Sequence, residues 1–218
     1  MQLGEPQLLD ALGVLLGVSA CFTFVILQKL ETSYGRYWSP RIRWWLPARL
    51  AWGLQEMPSL LLPLLEWVRF GDQLRPPNAL LMAMFTIHYT QRTLIFPLLI
   101  RGGKPTPLST FLMAFLFCTH NGYLQSRYLS LTKYPDHWTT QPHFLAGGLF
   151  EYVTAANYFG EIVEWLGFAL AGWSIQSSAF ALFTFCNLFR RAEHHHRWYL
   201  KKFKDYPKSR KIIFPYIY

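Results

Sequence analysis

The chain has 218 residues, of which 52% are hydrophobic, 18% aromatic and only 15% charged. Soluble domains carry about 25% charged residues, so the composition excludes an ordinary soluble globular protein and predicts an integral membrane protein. The net charge is +9, and residues 190–218 supply +7 of it through nine Lys or Arg and two acidic residues, which is typical of a cytosolic end beside an anionic membrane surface rather than of nucleic-acid binding.

Six apolar runs follow one another along the chain, and segments of roughly 20 residues are long enough to cross about 30 Å of hydrocarbon as helices. They predict an all-α fold, a polytopic transmembrane helical bundle, with spans at residues 8–27, 50–68, 78–100, 108–129, 149–173 and 174–189. The first run lacks a small-residue cleavage site and is predicted to remain as an anchor. The basic loop after it is predicted to lie in the cytosol, with the N-terminus on the opposite side.

Glu56 is a carboxylic acid inside the second predicted span. An acidic side chain at mid-membrane costs about 2.5–3.5 kcal/mol, so such a residue usually faces a protein interior and has a partner. Pro58 and Pro63 are predicted to interrupt the backbone hydrogen bonds of this helix, and the freed carbonyls would then line a polar cavity. Glu56 is therefore the first candidate functional residue.

The third span carries four polar residues within five positions, which packing alone does not explain: His88, Tyr89, Gln91 and Arg92. Helical spacing places His88 and Arg92 on one face, with Tyr89 beside it. The loop at residues 101–105 combines two cations with two glycines, a composition that suits phosphate binding. A positively charged cytosolic loop explains that composition equally well.

The later spans contain further polar residues. Asn121 and Gln125 lie in the fourth span, and a polar stripe at helical spacing runs along the fifth through Asn157, Glu161 and Glu164. No metal site is predicted at His194, His195 and His196, because consecutive histidines point in different directions and no fourth ligand is evident. The three cysteines lie inside apolar runs and are interpreted as small buried hydrophobic residues.

The number of spans conflicts with the charge pattern. A first span that runs from lumen to cytosol, followed by five more, returns the C-terminus to the lumen. The basic C-terminal segment nevertheless predicts a cytosolic C-terminus. Either the fifth region does not cross fully, or one span is missing between residues 143 and 147.

Together these segments resemble the steroid 5α-reductase family (3-oxo-5α-steroid 4-dehydrogenases), and within it most closely the type 1 isozymes. The resemblance covers nearly the whole chain and is highly specific because its segments occur in order, at residues 46–52, 55–59, 88–92, 101–105, 117–122, 147–153, 156–161, 194–199 and 206–211.

The resemblance implies a monomeric, seven-span helical enzyme of the endoplasmic reticulum membrane. Such an enzyme transfers a hydride from NADPH to C5 of a 3-oxo-Δ4 steroid such as testosterone or progesterone. The reaction builds negative charge on the 3-oxo oxygen, which needs hydrogen-bond donors in a dry site. The resemblance assigns this role to a catalytic pair in which Tyr89 is bonded to a protonated Glu56.

Ten positions match residues that line the NADPH in the family: Tyr34, Trp52, Arg92, Lys104, Asn121, Asn157, Glu161, Arg191, His195 and Tyr199. Lys104 stands where some members have an arginine, so the charge is kept but the bidentate geometry is lost. The chain has no GxGxxG motif, so a Rossmann cofactor site is not expected.

One departure from the family coincides with the topology conflict. Members carry a further span and a cytosolic loop before the segment that begins at residue 147, whereas this chain has neither. The expectation is a single integral-membrane domain over residues 1–218 with an internal deletion near 143–147, either of the splice type or by omission of an internal stretch. Such a deletion would leave the NADPH site incomplete, so weak or absent activity is expected.

Two other functions fit parts of the sequence. A membrane methyltransferase of the isoprenylcysteine type also has a helical membrane bundle with a polar, basic C-terminal end, but the segments at residues 55–59 and 88–92 argue against it. A non-catalytic truncated isoform that associates with partners is the second alternative.

Overall fold

The computed structural model describes residues 4–29, 43–134, 155–202, 210–214 and 217. Tyr34, the predicted join at residues 143–147 and residues 206–209 lie outside the described residues. The chain divides into two compact units, which we call the terminal unit (residues 1–31 with 142–218) and the central unit (residues 32–141).

The central unit is built from helices that follow the predicted second, third and fourth spans. Helix α2 spans Ala48–Phe70, α3 spans Pro76–Thr90, α4 spans Phe96–Leu99 and α5 spans Leu108–Leu131. A 3-10 turn, Gly71–Gln73, follows α2, and a π-helical turn, Gln91–Ile95, joins α3 to α4. Helix α2 packs along α5 and against α3. Apart from an antiparallel pairing of two-residue strands, β1 (Trp45–Leu46) with β2 (Thr106–Pro107), the described part of this unit agrees with the all-α prediction.

Helix α2 is continuous from Ala48 to Phe70, with both Pro58 and Pro63 inside it. Each proline removes one backbone donor, while packing of α2 against α5 and α3 holds the helix on both sides of the gap. The prolines therefore do not divide the second predicted span into two pieces.

The third predicted span is one helical path with a local change of winding. Residues Gln91–Ile95 form a π-helical turn between α3 and α4. Such turns are rare and are frequent at functional sites. Arg92 and the buried Thr93 belong to this turn.

Among its described residues, the terminal unit contains three helices, α1 (Glu5–Lys29), α6 (Ala156–Gly172) and α7 (Ile175–Lys202). Both α1 and α6 pack on α7, and Asp10 of α1 accepts a hydrogen bond from Gln176 of α7 at 2.7 Å. Trp173, in the left-handed region with φ of 37°, ends α6. The hydroxyl of Ser174 then accepts a bond from the Ser177 backbone N–H at 3.1 Å, as at a helix N-terminus.

Helix α7 is longer than predicted. The sixth span was expected to end at residue 189, but the helix continues through the basic segment to Lys202. Leu188 and Ala192 are both buried in a cluster with Ile162 and Ile213, so the helix keeps an apolar contact face beyond the predicted span. Arg197, Lys201 and Lys202 of this segment are exposed, whereas Glu193 is buried.

Among the described residues, α1 is the one helix whose length and hydropathy suffice to cross a membrane, with a mean hydropathy of 2.1 over Glu5–Gln28. The helical character of the fold is thus confirmed, whereas the number of spans stays a prediction. Large apolar side chains on the outer face of α2 are exposed, among them Leu61, Leu64, Leu65 and Val68.

Candidate active site

Glu56 forms a partly buried ion pair in the central unit. The Arg92 Nη2 atom lies 3.1 Å from Glu56 Oε1, and the two side chains are 24% and 8% exposed, respectively. Helix α2 supplies the carboxylate, and the π-helical turn supplies the guanidinium. A carboxylate in an apolar helix needs such a partner because an unpaired buried charge is strongly unfavourable.

The second carboxylate oxygen also has a partner. The Cys118 thiol donates to Glu56 Oε2 at 3.8 Å, and the Cys118 backbone carbonyl accepts a bond from the Ser59 hydroxyl at 2.8 Å. The sequence had suggested only a small hydrophobic residue at Cys118. Helix α5 therefore contacts the Glu56 carboxylate through Cys118, and the residue type of Cys118 alone did not indicate this contact.

Trp52 lies against the same ion pair. The guanidinium carbon of Arg92 is 5.0 Å from the centre of the Trp52 ring, which is within the range of a cation–π contact. Phe96 packs on the Trp52 ring at 4.9 Å between centroids. The indole Nε1 atom is buried and has no hydrogen-bond partner among the described residues.

Tyr89 is 3% exposed and lies between two rings, with centroids of Phe85 at 4.7 Å and His88 at 5.1 Å. Its hydroxyl oxygen accepts a bond from Asn121 Nδ2 at 3.3 Å. Glu56 and Arg92 are close enough to act on the phenol electrostatically.

The structure thus brings five predicted site residues together in the central unit, namely Trp52, Glu56, Tyr89, Arg92 and Asn121. Both predicted catalytic residues are among them. Three further side chains join this cluster that the predicted site did not include, namely Ser59, Cys118 and Gln125.

Lys104 belongs to the central unit as well, but it is exposed in the loop before β2. The start of this loop is held by Arg49, whose Nε donates to the Ile100 carbonyl at 2.9 Å. Gly102 adopts a left-handed conformation with φ of 62°, which glycine adopts at little steric cost. The loop therefore presents its cation at the surface.

The terminal unit holds five of the residues that resemblance assigns to NADPH. On α6, Asn157 is exposed and Glu161 is half-buried. On α7, Arg191, His195 and Tyr199 follow one another at four-residue spacing and so share one face of the helix.

Helix α6 meets this face of α7 through an aromatic contact. The rings of Tyr158 and His195 have centroids 5.4 Å apart. Glu193 is buried on the next face of α7, where it pairs with Arg190 at 2.6 Å and with Arg197 at 3.9 Å. In the described part of the chain, no group of three or more His, Cys, Asp or Glu is arranged to hold a metal ion.

A second ion pair in the central unit was not predicted from the sequence. Arg127 Nη1 lies 3.2 Å from Glu66 Oε2, and the side chains are 19% and 9% exposed. The Ser130 hydroxyl also donates to Glu66, and the Arg127 guanidinium lies 5.1 Å from the centre of the Phe70 ring. This pair links α2 to α5 near the end of both helices, away from Glu56.

Comparisons with known proteins agree with the resemblance. A family model described as 3-oxo-5-alpha-steroid 4-dehydrogenase matches two segments, residues 104–148 and 143–218. The chain is 50% identical over 256 positions to 3-oxo-5-alpha-steroid 4-dehydrogenase 1 of Bos taurus and 52% identical over 260 positions to that of Mus musculus, with 100% of each chain covered. The Homo sapiens protein of that name is 48% identical, and 98% of this chain and 97% of the relative are covered.

The lengths of these alignments differ from the length of the chain. The alignment with the bovine protein extends over 256 positions, which is 38 more than the 218 residues present here. The relatives therefore carry residues that have no counterpart in this chain.

Proposed function

Because the chain belongs to the 3-oxo-5-alpha-steroid 4-dehydrogenase family, we propose that its reaction is the NADPH-dependent reduction of the C4–C5 double bond of 3-oxo-Δ4 steroids to 5α-reduced 3-oxo steroids. Testosterone and progesterone are substrates of this class. The observation that supports the proposal most directly is the partly buried Glu56–Arg92 pair beside the Tyr89 hydroxyl in the central unit.

The chemistry explains why these side chains suit the reaction. When C5 of the enone gains a hydride, the electron pair of the double bond moves toward the 3-oxo oxygen, and C4 later takes a proton. Hydrogen-bond donors that meet this oxygen in a dry site stabilise the developing charge. Tyr89 is a buried phenol, and the Glu56 carboxylate is held at a fixed position by Arg92 and Cys118.

NADPH, when bound, supplies the hydride. The side chains of the terminal unit fit its phosphates and ring, because Arg191 and His195 offer a cation and an imidazole on one face of α7 and Tyr158 adds an aromatic surface beside His195. In the central unit, the buried indole N–H of Trp52 has no partner among the described residues and offers a donor. The residues proposed to hold the cofactor are Tyr34, Trp52, Arg92, Lys104, Asn121, Asn157, Glu161, Arg191, His195 and Tyr199.

The proposed setting is the endoplasmic reticulum membrane, in which the protein is a multi-pass monomer with a cytosolic C-terminus. Its support is the low charge content, the apolar helix α1 and the exposed apolar residues of α2. The proposed cytosolic position of the C-terminus rests on the basic residues in the C-terminal half of α7.

We also propose that the chain carries an internal deletion near residues 143–147 and has weak or absent activity. Two observations support this. The alignment with the bovine relative contains 38 positions more than the chain, and the two segments matched by the family model meet at residues 143–148. Robust steroid reduction by the purified 218-residue protein would refute the loss of activity.

The function is tested with purified protein in detergent by following NADPH oxidation and steroid product together. A second chain carries the bovine residues that are absent here, inserted at the join. It shows whether missing steroid reduction is due to the lost segment or to a different function of the protein. We expect the longer chain to reduce the steroid. This activity should disappear with Glu56→Gln or Tyr89→Phe and persist with Glu66→Gln, a matched change in the other ion pair. Absence of reduction by the longer chain would overturn the proposed reaction.

The two alternative functions predict different results. A methyltransferase would transfer a methyl group from S-adenosylmethionine and would not oxidise NADPH. A non-catalytic isoform would show no thermal stabilisation by NADPH, whereas a bound ligand at a hundredfold excess over its Kd stabilises by about 2.7 kcal/mol.

A further inference from the structure

Cys118 is a buried thiol that the predicted site did not include. It lies on α5 and is 3% exposed, and its thiol donates to Glu56 Oε2 at 3.8 Å. A thiol is a weak donor, but a hydrogen bond to a charged acceptor is stronger than one between neutral groups. The contact therefore depends on how the packing places α5 against α2.

The backbone of α5 is held against α2 at this residue. The Ser59 hydroxyl donates to the Cys118 carbonyl at 2.8 Å, and Ser59 is fully buried. One turn further along α5, Gly122 lies so close to Ser59 that a Cβ on this glycine would be 2.9 Å from Ser59 Cα. Contacts on two consecutive turns therefore fix the point from which the Cys118 side chain extends.

The carboxylate of Glu56 meets two donors, one at each oxygen. Arg92 Nη2 lies 3.1 Å from Oε1, and the Cys118 thiol bonds to Oε2. An ionised carboxylate has acceptors only, so a guanidinium and a thiol match it at both atoms. The last torsion of a glutamate side chain is broad, so a single partner would leave the plane of the carboxylate poorly defined. Donors from two elements, the π-helical turn and α5, define this plane.

We propose that Cys118 is a positioning residue of the reaction, whose thiol sets the orientation of the Glu56 carboxylate beside Tyr89. This inference rests on the proposed function. Glu56 acts electrostatically on the Tyr89 phenol, and the strength of such an interaction depends on the distance between the charge and the hydroxyl. Turning the carboxylate away from Cys118 would therefore change the electric field at the phenol that the proposed reaction uses.

Ser59 offers the thiol a second contact, because the Ser59 hydroxyl also forms a side-chain hydrogen bond with Cys118. The hydrogen of this hydroxyl is donated to the Cys118 carbonyl, so toward the thiol its oxygen is an acceptor. Glu56 is the stronger acceptor of the two because it carries a full negative charge. The two acceptors predict different effects of replacing Ser59 and Glu56.

Matched variants test the role. Cys118→Ala removes the thiol donor, whereas Cys118→Ser keeps a donor of similar size. Glu56→Gln replaces the charged acceptor by a neutral amide of the same shape, and Glu56→Asp withdraws the carboxylate by one methylene group. Cys186→Ala is the control, because Cys186 is also a buried cysteine on a helix but belongs to the terminal unit. Circular dichroism and thermal unfolding identify the variants that are folded.

The first measurement is the S–H stretch of Cys118 in the infrared spectrum, and it needs no ligand. The chain has three cysteines, and the Cys118 band is assigned by its loss in Cys118→Ala. A hydrogen-bonded thiol absorbs at a lower frequency than a free thiol, so both Glu56 variants are expected to raise the frequency of this band. Ser59→Ala is expected to change it less, and Cys186→Ala not at all. An unchanged band in both Glu56 variants, or a shift in Ser59→Ala alone, would overturn the proposal.

The second measurement is steroid reduction by the longer chain that carries the bovine residues. Removing a direct oxyanion donor lowers kcat by about 100-fold to 1,000-fold, so loss of a thiol that acts through Glu56 is expected to lower kcat by about 10-fold in Cys118→Ala. Cys118→Ser is expected to restore most of the lost kcat. The KM for the steroid is expected to stay nearly constant, and Cys186→Ala is expected to leave both constants unchanged.

The outcomes separate this inference from the proposed function. If Glu56→Gln shifts the thiol band but Cys118→Ala leaves kcat unchanged, the contact exists and the positioning role is wrong. If Cys118→Ala raises KM at constant kcat, the thiol acts on steroid binding and the positioning role is again wrong. If the longer chain reduces no steroid, the proposed function fails and the role in the reaction fails with it, while the infrared measurement still decides the contact between Cys118 and Glu56.

Discussion

Replacing Gly122 with alanine tests a close approach between α2 and α5. A Cβ atom at this position would lie 2.9 Å from Ser59 Cα and 3.0 Å from the Pro58 carbonyl oxygen. Both atoms belong to the backbone of α2, so they cannot move out of the way by a rotamer change. The two helices must separate for the methyl group to fit.

The size of the effect follows from these distances. Non-bonded carbon atoms are at their best separation at about 3.5–4.0 Å, so α2 must shift by roughly 0.6–1 Å relative to Gly122. Overpacking of this kind costs about 1–3 kcal/mol, and the higher helix propensity of alanine offsets about 0.5–1 kcal/mol. A net loss of about 1–2 kcal/mol in the free energy of unfolding is expected.

Thermal unfolding of the purified protein in detergent measures this change. For a chain of this size, 1 kcal/mol corresponds to about 2–4 °C in Tm, so the Tm of Gly122→Ala is expected to fall by about 2–8 °C. Gly167→Ala is the matched control, because a Cβ at Gly167, inside α6, meets no atom of another described element within 4 Å. A Tm of Gly122→Ala equal to or above that of Gly167→Ala would refute the packing described for α2 and α5.

Three other predictions concern charged groups. Arg92→Met leaves the buried Glu56 carboxylate without its charged partner and is expected to lower the free energy of unfolding by about 1–3 kcal/mol. This is below the 3–5 kcal/mol of a fully buried pair because Arg92 is partly exposed. Adding Glu56→Gln should restore most of the lost stability in the same thermal assay. Glu66→Gln, which removes the carboxylate held by Arg127, is expected to lower the Tm while leaving equilibrium binding of a 3-oxo-Δ4 steroid unchanged. Burial lowers the pKa of His196 from its usual 6.5, so below about pH 6.5 the unfolded chain takes up a proton that the folded chain does not; Tm should fall as the pH is lowered through this value, and less so in His196→Gln.

The cost of a carboxylate in an apolar helix made Glu56 predictable, because the argument needs only the residue type and its distance from the ends of the run. The sequence did not identify its partner in the same way. Arg92 lies 36 positions away, and its approach depends on a π-helical turn for which the sequence gives no periodic signal. Tyr89 was predicted as the direct partner, whereas the bonds described for Glu56 go to Arg92 and Cys118.

Cys118 and Gln125 show why the rest of the site escaped prediction. A cysteine in an apolar run is interpreted as a small hydrophobic residue, and a glutamine in a span does not reveal from its residue type which partner it contacts. Their roles depend on which face of α5 meets α2 and α3, and that face is set by tertiary packing. The length of α7 was missed for the same reason, since the contacts of Ala192 with distant residues extend the helix through a charged segment.

The π-helical turn at Gln91–Ile95 also bears on how this protein tolerates changes in length. A π turn is an α-helix that contains one residue more than regular winding requires, and each residue of an α-helix corresponds to about 100° of rotation. Deleting Gln91, the residue of the turn that precedes Arg92, would leave α3 and α4 as helices but rotate Arg92 by about 100° relative to α3 and away from Glu56. This deletion is therefore expected to remove the Glu56–Arg92 ion pair while the helices persist.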